Sequence, residues 1–321
     1  MERLVFGPVP SRRLGRSLGI NNIPAKTCSY SCVYCQLGQT ANMTCERRVF
    51  YKPEDIAIEV ERRICKAKLR SETIDYLAFV PDGEPTLDMN LGNVISILKQ
   101  TGIRVAVLSN ASLIWQQDVR RSLQKSDVVS LKVDAVSETI WRRINRPHRT
   151  LRLDLILKGI AAFAREFKGT IMSETMLIGN MLYGDEFERI SKFLGNLEKL
   201  NRAYIAVPTR PPTESWVEPP QEEVLNTAFQ TFSETLGVDR VGYLIGYEGN
   251  AFAFTGNIEE DLLSITAVHP MRKEAIEEFL RKACANWHVI EELLEENKLI
   301  ELEYEGNEYY MRKLPSRRKI E

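Results

Sequence analysis

Three cysteines lie in the run Lys26-Thr-Cys-Ser-Tyr-Ser-Cys-Val-Tyr-Cys-Gln-Leu-Gly38, spaced C-x3-C-x2-C as Cys28, Cys32 and Cys35. A disulfide engages two thiols and leaves the third over. A structural zinc ion takes four protein ligands, and here Cys45 is the candidate for the fourth. A cubane iron–sulfur cluster is held by cysteine thiolates, and three of them leave one iron with an open position. At an open iron a small molecule can be ligated and made to react. The spacing points to metal chemistry, with an open cubane and a zinc loop as the two readings.

The spacing, with Tyr34 directly before the last cysteine, resembles the signature of the radical S-adenosylmethionine (radical SAM) superfamily. The resemblance implies one 4Fe–4S cluster on Cys28, Cys32 and Cys35, with SAM chelated at the open iron through its amino and carboxylate groups. It implies reductive cleavage of SAM to a 5′-deoxyadenosyl radical, which takes a hydrogen from a substrate. It also implies an electron donor such as flavodoxin or ferredoxin, and places Tyr34 beside the cofactors. Asp82-Gly83-Glu84-Pro85-Thr86 resembles the Gly-Gly-Glu motif of the family, with Asp82 in place of the first glycine. That likeness implies a SAM-ammonium site built from Gly83, Glu84 and Pro85, where glycine lets the backbone approach.

Further polar residues fall at the ends of expected strands. Ser109 and Asn110 suit a ribose or a carboxylate, with turn capping as the alternative. Lys132 and Asp134 are two apart, so they point the same way; facing a barrel interior, they form a buried pair for SAM or substrate. A carboxylate inside a parallel strand is expensive unless hydrogen-bonded, so Glu174 is an inward functional group or lies near a strand end. Arg12, Arg13 and Arg16 reach anionic groups or form a solvated face. The stiff loop carrying Arg210, Glu214 and Trp216 is a pocket wall or a connector. His148, His269 and His288 have no partner at metal spacing and read as structural.

The runs Gly7–Asn21, Gly83–Leu87, Leu131–Ala135, Ile144–Pro147 and Arg210–Val217 together look like the iron–sulfur oxidoreductases grouped with wyosine-tRNA (imidazoguanosine) synthetases. Those synthetases rebuild a methylated guanosine of tRNA with pyruvate, using a second cluster on cysteines ahead of the radical loop. No cysteine precedes Cys28, so a second cluster is not expected. The group is legible and the reaction is not. The substrate is an RNA base (tRNA among the candidates), a peptide or a small metabolite. The alternative is a non-catalytic iron–sulfur or zinc protein acting through its C-terminal module.

The elements that must position these residues alternate. Pro53, Glu54 and Asp55 open a helix, and Ile56, Val60 and Ile64 give it one apolar stripe. Strands are expected at 18–20, 74–80, 103–108, 128–133, 170–178 and 203–207, with helices between them. Such alternation predicts a parallel sheet, and the count suits an α/β fold: a partial (βα)6 TIM-like barrel over residues 1–237. From 238 to 321 the rhythm changes. Three short helices and a hairpin at about 258–313 predict a small winged-helix-like unit. Its third helix carries Glu291, Glu292, Glu295 and Glu296, which would repel a duplex, so DNA is not an expected partner.

Composition agrees with a soluble globular protein. The chain has 321 residues, 44% hydrophobic and 27% charged, with a net charge of -1. It is no polycation awaiting nucleic acid. No apolar run approaches the ~18 residues of a membrane span, and the N-terminus lacks a signal-peptide core. A cytoplasmic location is expected.

Overall fold

A computed structural model describes residues 4–246, 249–250 and 252–313. In chain order the N-terminal part runs β1 (Val5–Ser11), β2 (Gly15–Ile20), β3 (Thr27–Cys28), β4 (Asn42–Met43), α1 (Pro53–Leu69), β5 (Tyr76–Phe79), α2 (Leu91–Leu98), β6 (Arg104–Ser109) and α3 (Gln117–Leu123). It continues through β7 (Val128–Lys132), α4 (Glu138–Asn145), α5 (Leu153–Glu166), β8 (Thr170–Met176), α6 (Glu186–Gly195), β9 (Leu200–Ala206), α7 (Glu222–Leu236) and β10 (Val241–Leu244). The C-terminal part holds α8 (Ile258–Val268), β11 (Met271–Arg272), α9 (Lys273–Lys282), α10 (His288–Glu295), β12 (Leu299–Tyr304) and β13 (Asn307–Arg312).

Eight strands form one curled sheet in the order β1-β2-β5-β6-β7-β8-β9-β10. Only β1 is antiparallel to its neighbour; every later pairing in this sheet is parallel. This is the half-barrel of the expected α/β class. Two strands lay outside the sequence expectation. β1 carries Gly7, Pro8 and Pro10, residues that dilute a strand pattern. β10 lies past residue 237, so the sheet runs beyond the expected boundary to Leu244.

Alternation divides each strand between two environments. Leu77, Phe79, Val105, Val107, Val129, Leu131 and Ile171 pack outward with the helices in the main core. That core includes the Ile56, Val60 and Ile64 stripe of α1. The inner face is lined by small or polar residues, with Ala78, Ala106 and Val128 clustered against Leu14. The helix crossovers cover the outer face, and the charged pair Lys132 and Glu174 faces inward.

The three C-terminal helices occur in the order expected, and β11 joins the β12–β13 hairpin in a three-stranded antiparallel sheet. Phe6 and Val9 of β1 share a core with Phe252, Leu262, Ile265, Met271 and Phe279. Arg63 of α1 bonds Asp261 and Thr255 at 2.7 Å each. Among the described residues, no helix is long and apolar enough to cross a membrane.

Candidate active site at the barrel mouth

Parallel strands deliver the residues at their carboxyl ends to one rim. The chain leaving β2 folds over that rim as the cysteine loop. Cys28, Cys32 and Cys35 line one chamber of about 220 Å³, together with Lys26, Tyr34, Gly83, Glu84, Ser109, Asn110 and Lys132. Residues from three strand ends and the loop thus converge in one space.

Backbone contacts seat the loop. Thr27 bridges Gly83 in parallel, and Glu84 N donates to Thr27 O at 3.1 Å. A side chain at Gly83 would force the backbone to shift: its φ is +154°, and a Cβ would lie 1.8 Å from Thr27 O. Lys26 lies 3.6 Å from Asp82 and is buried with it. On the far side, Thr213 Oγ1 donates to Cys35 O at 2.7 Å and Glu214 N to Val33 O at 3.1 Å. The proline-rich loop after β9 therefore clamps the cysteine loop, and its Thr209 and Arg210 reach a second cavity.

The Glu84 carboxylate is engaged from every side. One oxygen accepts from Thr86 N, Thr86 Oγ1 and Ser109 Oγ, and the other accepts from Asn110 N at 2.7 Å. Burial pushes its pKa up, and those hydrogen bonds hold it back. Glu84 braces the rim here rather than presenting a spare carboxylate to an ammonium. Ser109 and Asn110 belong to the same brace. Pro85 is buried in the short 3-10 turn that follows Glu84 and does not reach the chamber.

Lys132 and Asp134 do not pair, a correction to the sequence reading. The β7–β8 register sets Lys132 opposite Glu174, and the two bond at 2.7 Å. Arg13 binds the other Glu174 oxygen. Strand β7 ends at Lys132, so the two-residue alternation no longer governs Asp134. Its carboxylate instead accepts from Tyr34 OH, from Asn145 Nδ2 at 2.6 Å and from Met176 N at 2.9 Å. Asp134 lies behind the cysteine loop and anchors it.

A second cavity of about 300 Å³ shares Arg13, Tyr34, Cys35, Lys132 and Glu174 with the first. Its distal lining adds Arg12, Gln36, Arg210 and His269. Arg210 bonds Gln36 Oε1 and His269 Nε2, each at 2.6 Å. Burial, then the nearby Arg210 charge, drives the His269 pKa well below normal, so its ring is neutral. His269 follows α8, so the C-terminal part helps wall this cavity. Arg12, Arg13 and His269 escaped firm assignment from sequence because each comes from a turn or a distant element. The only sequence signal was the arginine pair beside a glycine turn.

Metal chemistry fits the thiol environment. Burial raises the Cys28 pKa well above normal and pushes Cys32 up to about 12. Such thiols ionise readily only against a cation, and metal coordination deprotonates them outright. Among the described residues, no three His, Cys, Asp or Glu side chains converge tightly enough for a single metal ion. A cubane spreads its thiolates over several iron atoms, so the three cysteines suit a cluster better than the zinc loop.

Comparison with known proteins is decisive for the family. Residues 22–194 match the radical SAM superfamily. The chain belongs to the radical SAM superfamily. The UPF0026 protein MJ1312 of Methanocaldococcus jannaschii is 50% identical over 317 residues, covering 98% of each chain. A radical SAM methyltransferase from Sphaerobacter thermophilus shares the fold at TM-score 0.52 and 13% identity, covering 71% of this chain and 66% of that one. TYW1, solved with a lysine–pyruvate adduct bound, matches at TM-score 0.50 and 18% identity, covering 68% and 73% respectively. These structural likenesses concern the fold. Radical SAM proteins use a 4Fe–4S cluster and SAM and draw on a reductant. This chain is accordingly a radical SAM enzyme.

Proposed function

We propose that Cys28, Cys32 and Cys35 hold one 4Fe–4S cluster and that SAM occupies the chamber beside them. The observation that carries this reading is the shared chamber: all three thiols and the Gly83–Asn110 rim line it. When bound, the cluster and SAM supply one-electron cleavage of a C–S bond and a carbon radical that takes hydrogen from a substrate. The protein's own groups do the rest. Gly83 lets the rim backbone close on the loop, and Glu84 fixes Ser109 and Asn110. Tyr34 and Asp134 pin the loop from behind.

The substrate enters through the second cavity in this reading. Arg12, Arg13, Lys132 and Arg210 line it with Glu174, and arginine favours carboxylate and phosphate. A substrate with an anionic group fits that lining, whether a nucleotide of tRNA or a small metabolite. Flavodoxin or ferredoxin is the electron donor we assign, and the cytoplasm, where thiols stay reduced, the location. The acidic α10, with Glu291 and Glu292 exposed, suits protein contact or capping better than DNA. Residues 258–313 act as a winged-helix-like unit in this reading.

The test is anaerobic reconstitution with iron and sulfide, then reduction in the presence of SAM. Formation of 5′-deoxyadenosine is expected. Full cluster content with SAM bound and never cleaved would refute the enzymatic reading and favour a non-catalytic iron–sulfur protein.

A further inference from the structure

Two side-chain amides touch the cysteine sulfurs. Asn110 Nδ2 lies 3.6 Å from Cys28 Sγ, and Asn145 Nδ2 lies 3.5 Å from Cys32 Sγ. They come from opposite sides, Asn110 just after β6 and Asn145 from the last turn of α4.

Neither amide is placed to turn over. Asn110 Oδ1 accepts from Ser112 N at 2.9 Å, which commits its NH2 to Ser29 Oγ at 3.0 Å and to Cys28. The Asn145 NH2 lies 2.6 Å from Asp134 Oδ2. Asp134 Oδ2 already accepts from Tyr34 OH, so a reversed Asn145 would press a carbonyl oxygen against an acceptor oxygen. Asp134 is itself fixed by Met176 N and Tyr34 OH. The neighbours thus dictate that N–H, and not C=O, faces each sulfur. Among the described residues, Cys35 Sγ receives no comparable bond.

We propose that Asn110 and Asn145 are positioning residues that set the reduction potential of the cluster by donating N–H···S hydrogen bonds to Cys28 and Cys32. The inference rests on the reading of these cysteines as cluster ligands. Reduction adds one electron, and part of its charge resides on the sulfurs. A donor aimed at a sulfur then gains more in the reduced state, which raises the potential. Both contacts are partly buried, where hydrogen bonds are electrostatically stronger than in water. The asymmetry favours charge at the Cys28 and Cys32 corners over the Cys35 corner.

The experiment uses reconstituted full-length protein without SAM, so that any contact of Asn110 with SAM does not intrude. Asn110→Ala and Asn145→Ala are titrated potentiometrically by EPR, after iron and sulfide analysis. At a fixed potential each should lower the ratio of reduced to oxidised cluster about tenfold, which is 59 mV for a one-electron couple. Asn145 also holds Asp134, so its variant can lose the cluster. A measurement on the unaltered chain covers that case: with 15N-asparagine, pulsed EPR of the reduced cluster should show a side-chain nitrogen coupling. Unchanged midpoints on a full cluster, or no such coupling, would overturn this inference alone. Failure of the unaltered protein to take up any cluster would overturn the cysteine reading with it.

Discussion

Gly83→Ala isolates the contact that locks the rim to the cysteine loop. The added Cβ would sit 1.8 Å from Thr27 O and 2.8 Å from Ile23 Cδ1. The isoleucine tip can swing aside, but the carbonyl belongs to the Thr27–Gly83 bridge and cannot move without opening it. Overpacking of this kind costs about 1–3 kcal/mol, and holding a non-glycine residue at that φ adds about 1–3 kcal/mol. The combined loss is about 2–6 kcal/mol if the bridge is kept. If it opens, the loss is smaller, and the Glu84 brace drifts away from Cys28. For a chain of this size each kcal/mol lowers Tm by about 2 °C, so a fall of roughly 4–12 °C is expected for the metal-free protein. The assay is thermal unfolding by circular dichroism, paired with iron retention after reconstitution. A variant with unchanged Tm and full iron would refute the claim that this backbone contact seats the loop.

Other outcomes follow from single contacts. Cys32→Ser should lose most of its iron and all SAM cleavage; full iron content and turnover would make Cys45 or another thiol the true ligand. Arg63→Met should cost about 3–5 kcal/mol in urea unfolding, because it strands the buried Asp261 carboxylate, whereas a loss under ~1 kcal/mol would mean that the pair is solvated. Asp88 gives a pH signature. Burial raises its pKa to about 6, above the unfolded value, so the folded state binds its proton more tightly. Relative to Asp88→Asn, the natural protein should lose stability as pH rises from 4 to 6, by about 2 kcal/mol. Parallel urea midpoints for the two proteins across that window would show the carboxyl to be solvated.

The cysteine loop was legible because its chemistry is local. Three thiols within a few residues share one loop, whatever the rest of the chain does. The inward direction of Lys132 was legible as one of two options, because alternation leaves a strand residue only two faces. Its partner was not, because cross-strand register between β7 and β8 is a long-range property that no local spacing encodes. Asp134 was assigned by extending strand alternation past the point where the strand ends. Glu84 was recognised by its motif, but its four donors come from residues 86, 109 and 110, two of them at the end of β6.

Alone, the amino-acid order settled the family, the alternation of strands and helices, and the thiol triad. Those features rest on covalent neighbours and on periodic burial. Tertiary structure decided which polar groups are spent on one another and which still face the chamber. Glu84 and Asp134 became braces, Arg13 joined Glu174, and Asn110 and Asn145 turned their amides onto sulfur. A hydrogen bond's partner is chosen by proximity in space, and proximity between residues eighty or a hundred positions apart exists only once the sheet has closed.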